Sequence, residues 1–574
     1  MTMKKFLVVS TIMVLAIFFL VWKLQPLPAG DIAAVIPDTA LLYMEQKDVE
    51  NFVDDLKHSK LGKIIQSIDF LIIGNDLKLT DDQLTAIQKT DILIRNNWDS
   101  EIIRELFGKQ VALALLQPLK STMHLNLIDF IKANTVLITE PGYKAEFMHM
   151  IAERYAVYSK NISISAHQYG KYHIKRISID TDILSTVTID GFILMSFEEG
   201  QLRKCIDTFD NELPSLAEYE DYSRLRSHYS QPDQFMFLAL GNSRDFINND
   251  LLQHEFSGRD IIEKELTATA GFAGFSYGAW KNQSLISDRI MVLYNQEMVS
   301  STVEKQLQTA PAICDTLRFS PVNPLVFYWT NTIDFELLYQ LYSKRVGEQD
   351  IKLVKFAEIL EDQAGMTSNE FFRLFGTELS YIITSGQEGN SLSIPYGIML
   401  FKVEEPERVA EALEKLVAGY NVPVKMNNYG STSFYSWAGS PQEGLQPLYG
   451  FLDNYLFIGN SNYLVKQVID SLQNGNNLLK DPQFLEIDLG LTRSNNYISY
   501  TDNVELITIT KSLLKLAGAM MAIEDRDTAS KVKIILRDII DPLLDGLSMF
   551  DRTATRSYFT EDSVVIDSMT KVEN

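Results

Sequence analysis

The chain has 574 residues, 46% of them apolar, and carries 52 Lys and Arg against 75 Asp and Glu, a net charge of −23. That length allows three or four units of the usual ~100–200 residues, and the charge repels phosphate backbones, which argues against nucleic-acid binding. Only Cys205 and Cys314 are present, which excludes a disulfide-dense scaffold and leaves one bridge or none open.

The first segment sets the expected compartment. Lys4 and Lys5 precede an uncharged run from Phe6 to Trp22, closed by Lys23. The run is longer than a signal-peptide core and falls within the range of a membrane-spanning helix. No good small-residue cleavage site follows in Gln25-Pro26-Leu27-Pro28-Ala29-Gly30. The reading preferred over a cleaved signal peptide is an uncleaved signal anchor in residues 1–30. It predicts a single-pass protein of the inner (cytoplasmic) membrane, with the N-terminus cytoplasmic and the bulk periplasmic or extracellular.

Residues 31–295 and 323–574 then show the same segment plan, with the polar, aperiodic stretch Gln296 to Val322 expected as a linker. Ile36-Pro37-Asp38-Thr39-Ala40-Leu41-Leu42-Tyr43-Met44 and Asn323-Pro324-Leu325-Val326-Phe327-Tyr328-Trp329 each open with a proline-led strand. Leu106-Phe107-Gly108 and Leu374-Phe375-Gly376 are expected to stop helices on a left-handed glycine. Strands at Thr135–Ile138 and Ile398–Phe401 run into Glu140-Pro141 and Glu405-Pro406, where proline suits a first helical turn.

Tyr169-Gly170 and Tyr429-Gly430 introduce further strands, and Asp190-Gly191 and Asp453-Asn454 carry hairpin-turn chemistry. Cys205-Ile206-Asp207 then lies in register with Val468-Ile469-Asp470, and alternating strands close both halves at Ile286–Tyr294 and Ser563–Met569. Strands in runs and hairpins predict an α+β fold. The expected form is two tandem pseudo-repeats, each a mainly antiparallel sheet covered by helices, after an N-terminal transmembrane helix.

Candidate chemistry is thin. Gly274-Phe275-Ser276-Tyr277-Gly278 fits the nucleophile-elbow string, but that motif needs a helix directly after the serine and a histidine downstream. An alternating strand follows instead, and all seven histidines lie at or before His254. His167 and His173 are two imidazoles without a nearby carboxylate or thiolate, too few for a zinc site. His149 reads as a helical surface residue, and Ser512-Leu513-Leu514-Lys515 lacks the companion motifs of Ser-x-x-Lys enzymes. No catalytic, cofactor-binding or metal-ligating residue is assigned, and no cofactor is expected. Leu506–Ile523 and Val532–Leu544 are apolar helical segments that either cover a sheet or offer a groove, with Met520 and Met521 suited to either role.

The N-terminal anchor, the Pro37–Ala40 opening strand, the Leu-Phe-Gly stops and the repeated strand-helix units resemble an uncharacterised family of bacterial cell-envelope proteins, classed as a domain of unknown function. The resemblance implies a bacterial source and an extracytoplasmic location, and it brings no site residues with it. The function expected is a membrane-anchored, non-enzymatic binding or assembly protein, held by its N-terminal helix, with an envelope protein or lipid as partner and no nucleic acid. The alternatives are an envelope hydrolase acting through Ser276 and a ligand-free structural spacer.

Overall fold

The computed structural model describes residues 30–85, 87–88, 91, 107, 109–119, 126–141, 162–179, 182–253, 259–347, 350–386, 394–437, 446–524 and 526–573. The expected anchor run, Phe6 to Trp22, lies outside them, as do Leu106, Gly108, the Pro141 helix and His149. Two expectations are corrected. Among the described residues no helix is long and apolar enough to cross a membrane, so the transmembrane-helix, signal-anchor and single-pass inner-membrane readings have no support. Second, among the described residues twenty strands form a large, mostly antiparallel hydrogen-bonded sheet with helices, against the expected sheet for each repeat after a transmembrane helix, and a two-stranded pair stands apart. Composition marks where strands start and stop, but an unpaired strand edge keeps pairing wherever a partner meets it.

The described residues divide into two compact units, the first built from those within 30–59, 70–280 and 289–300, the second from those within 60–69, 281–288 and 301–573. In the first, the strands are β1 (Ala40–Lys47), β2 (Gln110–Leu116), β3 (Thr135–Glu140), β4 (Ile162–Tyr169), β5 (Tyr172–Ile179), β6 (Asp182–Ile189), β7 (Phe192–Ser196), β8 (Gln234–Ala239), β9 (Phe272–Asn282) up to Trp280 and β10 (Leu285–Tyr294) from Arg289 onward. Antiparallel pairing gives the order β4-β5-β6-β7-β3-β2-β1-β8-β9. One face buries Tyr43, Ala112, Val136, Ile138, Leu194, Phe235 and Phe237. Helix α1 (Glu199–Phe209) adds Leu202, Cys205 and Ile206 to the buried residues. Helix α2 (Glu220–Arg226) sets Tyr222 edge-on to Phe237 at 5.4 Å.

In the second unit β11 (Ala312–Ile313) pairs with β19 (Ser494–Asn495). The main strands are β12 (Val326–Thr330), β13 (Phe375–Thr384), β14 (Tyr396–Val403), β15 (Val424–Tyr429), β16 (Thr432–Trp437), β17 (Leu448–Leu452), β18 (Tyr455–Gly459), β20 (Tyr497–Asp502), β21 (Phe550–Phe559) and β22 (Ser563–Val572). Their order is β15-β16-β17-β18-β14-β13-β12-β20-β21-β22. Strand for strand, from β15 to β21, this is the order of the first unit.

Helices α3 (Phe335–Val346), α4 (Ile351–Ile359), α5 (Ser368–Arg373) and α6 (Pro406–Gly419) follow β12 and β14 in the chain, and α6 opens on Pro406 as its sequence predicts. Together α4, α5 and α6 bury Ile359, Phe371, Val409 and Ala412 in one core cluster. Another cluster forms around Phe327, Trp329, Leu400 and Phe457, and helix α7 (Asn462–Asn474) supplies Leu464, Val465, Val468 and Ile469 to it.

Three local expectations change. Gly376 lies inside β13 and does not cap a helix; Leu374 ends α5, and a β-carbon at Gly376 would stand 2.8 Å from Glu404 and 2.9 Å from Lys402. The prolines precede their strands by two or three residues, with Pro37 bridged to Ser215 and β1 starting at Ala40. The stretch expected as a linker is packed: Cys314, Leu317 and Phe319 enter the second unit's core. Asn331 and Asn496 donate side-chain N–H bonds to the carbonyls of Ala310 and Thr309.

Candidate functional site: an apolar groove on the first unit

Strand β2 reads Gln-Val-Ala-Leu-Ala-Leu-Leu and β8 reads Gln-Phe-Met-Phe-Leu-Ala, apolar at both alternating positions. Successive side chains point to opposite faces, so such strands present an apolar surface on each side of the sheet. One surface is the buried core. On the other, register places Leu137 opposite Leu113, Leu113 opposite Met44, Met44 opposite Met236, and Met236 opposite Tyr277. These five side chains form a row across five strands, roughly 19 Å long at the usual strand spacing.

The row floors a groove of about 570 Å³ lined by Met44, Glu45, Gln46, Val111, Ala112, Leu113, Leu137, Gln234, Phe235, Met236 and Tyr277. That volume falls in the range of small-molecule sites. Met44 is 44% exposed, unusual for a central-strand methionine flanked by buried Tyr43. Gln46 faces Gln234 across β1 and β8 and forms a polar margin, its amide donating to the carbonyls of Lys47 at 2.6 Å and Asp233 at 3.3 Å. Glu45 follows Met44 in β1, so its side chain turns to the core face with Tyr43, where Oε2 accepts from the Tyr43 hydroxyl at 3.0 Å and Oε1 from Gln110 at 2.7 Å. Burial, followed by the nearby Glu45 charge, holds the Tyr43 phenol well above its ordinary range. The lining thus supplies dispersion contacts, aromatic surface and amide hydrogen bonding.

In the second unit the equivalent row is Met399, Tyr381, Tyr328, Ser499 and Thr555. Four of the five are tyrosines or small hydroxyl residues: Tyr381, Tyr328 and Ser499 stand where the first unit has Leu113, Met44 and Met236, and Thr555 takes the place of Tyr277. The two sheets share a strand order but not an outer-face chemistry.

The residues singled out by the sequence fall elsewhere. Ser276 is fully buried in the middle of β9, 2.8 Å from the Tyr229 hydroxyl, not exposed at a strand-to-helix turn. Its flanking glycines serve packing: a β-carbon at Gly278 would stand 2.3 Å from the Tyr229 ring, and one at Gly274 3.1 Å from Leu225. Strand register puts His167 opposite Ile174 and His173 opposite Gln168, so the two imidazoles point to opposite faces and share no site. His167 instead lies 3.1 Å from Glu199, a carboxylate that also receives Arg176 and Arg203, each at 2.6 Å.

Ser512 donates to the Thr508 carbonyl while Lys515 pairs with Asp541 at 3.7 Å, so the Ser-x-x-Lys string forms no dyad. Cys205 and Cys314 are buried free thiols, each pushed up by burial to about 12. Among the described residues no cluster of three or more His, Cys, Asp or Glu is placed to hold a metal ion. Sequence reading passed over the groove because its residues come from five strands spread between Met44 and Tyr277. The two-sided apolar pattern of β2 and β8 is the signal that marks it.

No family model matches this sequence, and no curated protein matches it. Among solved structures, crystal form III of TP0453 aligns with 49% of this chain and 85% of that chain at 12% identity and a TM-score of 0.23. Crystal form I of TP0453 aligns with 48% and 84% at 9% identity and a TM-score of 0.24. Likeness at this level fixes neither the fold nor the function of this chain.

Proposed function

We propose that the chain is a non-enzymatic binding protein whose first unit takes an apolar, chain-like ligand along the groove across β3, β2, β1, β8 and β9. The observation that carries this reading is the uninterrupted row from Leu137 to Tyr277 on a sheet face opposite the core. An apolar chain laid on that row replaces water over Leu, Met and Tyr surface, at ~25 cal/mol per Å² of apolar area covered. Methionines at Met44 and Met236 suit a ligand of variable shape, because their unbranched thioethers repack readily. A polar end group fits beside Gln46 and Gln234, whose carboxamides offer hydrogen bonds without charge.

The hydrolase alternative through Ser276 draws no support from the geometry, since a buried mid-strand hydroxyl already bonded to Tyr229 is out of reach of a substrate. The test is titration of the full chain with a long-chain monoacylglycerol, read by native mass spectrometry and by quenching of intrinsic tyrosine and tryptophan fluorescence. One bound molecule is expected. Met44→Glu and Met236→Glu place a carboxylate on the row and are each expected to weaken binding about tenfold or more, equivalent to at least ~1.4 kcal/mol. Equal binding by wild type and both variants sinks the assignment.

A further inference from the structure

Helix α3 carries two apolar stripes. One faces inward, where Phe335 packs 5.6 Å from Phe375 and Tyr339 stacks on Phe372 at 4.9 Å. The other comprises Leu338, Leu341, Tyr342 and Val346, the i, i+3, i+4, i+8 spacing of a second helical face, and it is exposed, with Leu341 and Tyr342 each at 52%. Helix α4 also exposes apolar side chains, Ile351 at 83% and Val354 at 39%. A helix of the second unit therefore spends its sequence on an outward apolar surface that contributes nothing to its own core.

The charges around this surface run against the rest of the molecule. Residues 338–355 hold Lys344, Arg345, Lys352 and Lys355 against two acids, in a chain of net charge −23. Lys344, Arg345 and Lys352 are exposed, and among the described residues none of them forms an ion pair. Of the nearby acids, Glu336 takes Arg373 at 2.7 Å and Asp350 accepts from the backbone N–H groups of Lys352 and Leu353 at the start of α4, while Glu348 lies outside the described residues. Lys355 lies 4.6 Å from the Tyr420 ring.

We infer that the exposed apolar face of α3, with the basic residues Arg345 and Lys352 beside it, is a docking surface for an acidic amphipathic helix of a partner protein. Apolar anchors at helical spacing would seat on Leu338, Leu341, Tyr342 and Val346, in the helix-on-groove manner. Asp or Glu residues flanking those anchors would meet Arg345 and Lys352, and rim charges of this kind raise the on-rate and make binding salt-sensitive. A partner helix is favoured over an anionic bilayer because a bilayer presents a broad negative plane to the whole acidic chain, whereas a helix meets this basic patch alone.

The experiment uses the full chain and a fluorescent synthetic peptide of three heptads, with Leu at the apolar positions and Glu at the flanking ones. The same peptide with Lys for Glu, and vesicles of phosphatidylcholine with phosphatidylglycerol, serve as comparisons. The acidic peptide is expected to bind, to weaken as salt rises, and to lose about tenfold or more in affinity against the doubly charge-reversed Arg345→Glu, Lys352→Glu chain. Leu341→Ser with Tyr342→Ser is expected to remove binding at any salt. Both variants change exposed side chains, and unchanged circular dichroism and melting temperature keep the reading on docking. The inference is overturned if the acidic peptide fails to bind or the basic peptide binds as well. It is overturned equally if charge reversal leaves affinity unchanged, or if the chain takes the vesicles and not the peptide.

Discussion

The Tyr169 hydroxyl lies 3.0 and 3.2 Å from the two carboxylate oxygens of Asp207 and donates to that side chain, tying the β4–β5 hairpin to α1. The second unit repeats the contact between Tyr429 and Asp470 at 3.1 and 3.0 Å. A cation four residues before each aspartate covers the ring, Arg203 at 4.9 Å from Tyr169 and Lys466 at 5.5 Å from Tyr429. Each tyrosine precedes a glycine at positive φ, Gly170 at 56° and Gly430 at 58°, so hairpin turn and clasp come as one short motif.

Removing the clasp by Tyr169→Phe keeps the ring under Arg203 and deletes the hydrogen bond alone. Because the pair is half exposed, the expected loss is below about 1 kcal/mol, read as a small fall in the denaturant midpoint. Tyr429→Phe is expected to shift the midpoint in the same direction. Burial and then the Asp207 bond raise the Tyr169 phenol above its ordinary range. Its contribution is therefore complete below about pH 10 and lost as pH rises through the raised value in the folded chain. A Tyr169→Phe difference that persists undiminished above that range contradicts the assignment.

Two substitutions in the Gly-x-Ser-x-Gly string separate packing from chemistry. Gly278→Ala drives a β-carbon to 2.3 Å from a ring already edge-on to Phe235 at 5.2 Å and stacked on Trp280 at 5.9 Å. Overpacking of this kind costs about 1–3 kcal/mol. Ser276→Ala removes the buried hydrogen bond with Tyr229 and a long one, 3.5 Å, donated to the Met291 carbonyl, and is expected to cost ~1 kcal/mol. Thermal denaturation of both variants is the check. A larger loss for Ser276→Ala than for Gly278→Ala would reverse the reading.

Acid sensitivity is expected at Glu199. Burial alone would raise its carboxyl, but the hydrogen bonds from Arg203 and Arg176 and the charges of Arg176 and His167 outweigh it and leave the group below the usual carboxylate range. A lowered folded value gives stability that is present above the ordinary carboxylate range and is lost as pH falls through the lowered value. Melting temperature is therefore expected to fall from about pH 5 downward. Glu199→Gln should flatten that limb while lowering stability at neutral pH. An identical acid limb in the variant would assign the sensitivity to other carboxylates.

Local features were legible because they depend on neighbours in sequence. Asp190 and Gly191 take positive φ at 47° and 86° in the β6–β7 turn, and Asp453 does so at 50° before β18, as their turn chemistry predicts. Pro406 opens α6, and the closing strands appear at Leu285–Tyr294 and Ser563–Val572. Where a local signal competed with packing, packing decided. Gly376 reads as a helix stop but sits in β13, which pairs with β14, and a β-carbon there would crowd Glu404 and Lys402. Gln296–Val322 reads as polar linker but is pinned through Asn331 and Asn496, partners 21 and 187 residues from the carbonyls they bind.

The sequence by itself determined the turns, the proline that opens α6 and the strand alternation, together with the acidic charge that disfavours nucleic acid, since each follows from a residue's own φ preference, side-chain period or ionisation. Only the tertiary structure decided that Leu137, Leu113, Met44, Met236 and Tyr277 share one row, and that His167 and His173 face apart. Cross-strand register carries that information, and register is set by pairings between segments up to roughly two hundred residues apart, which no local pattern encodes.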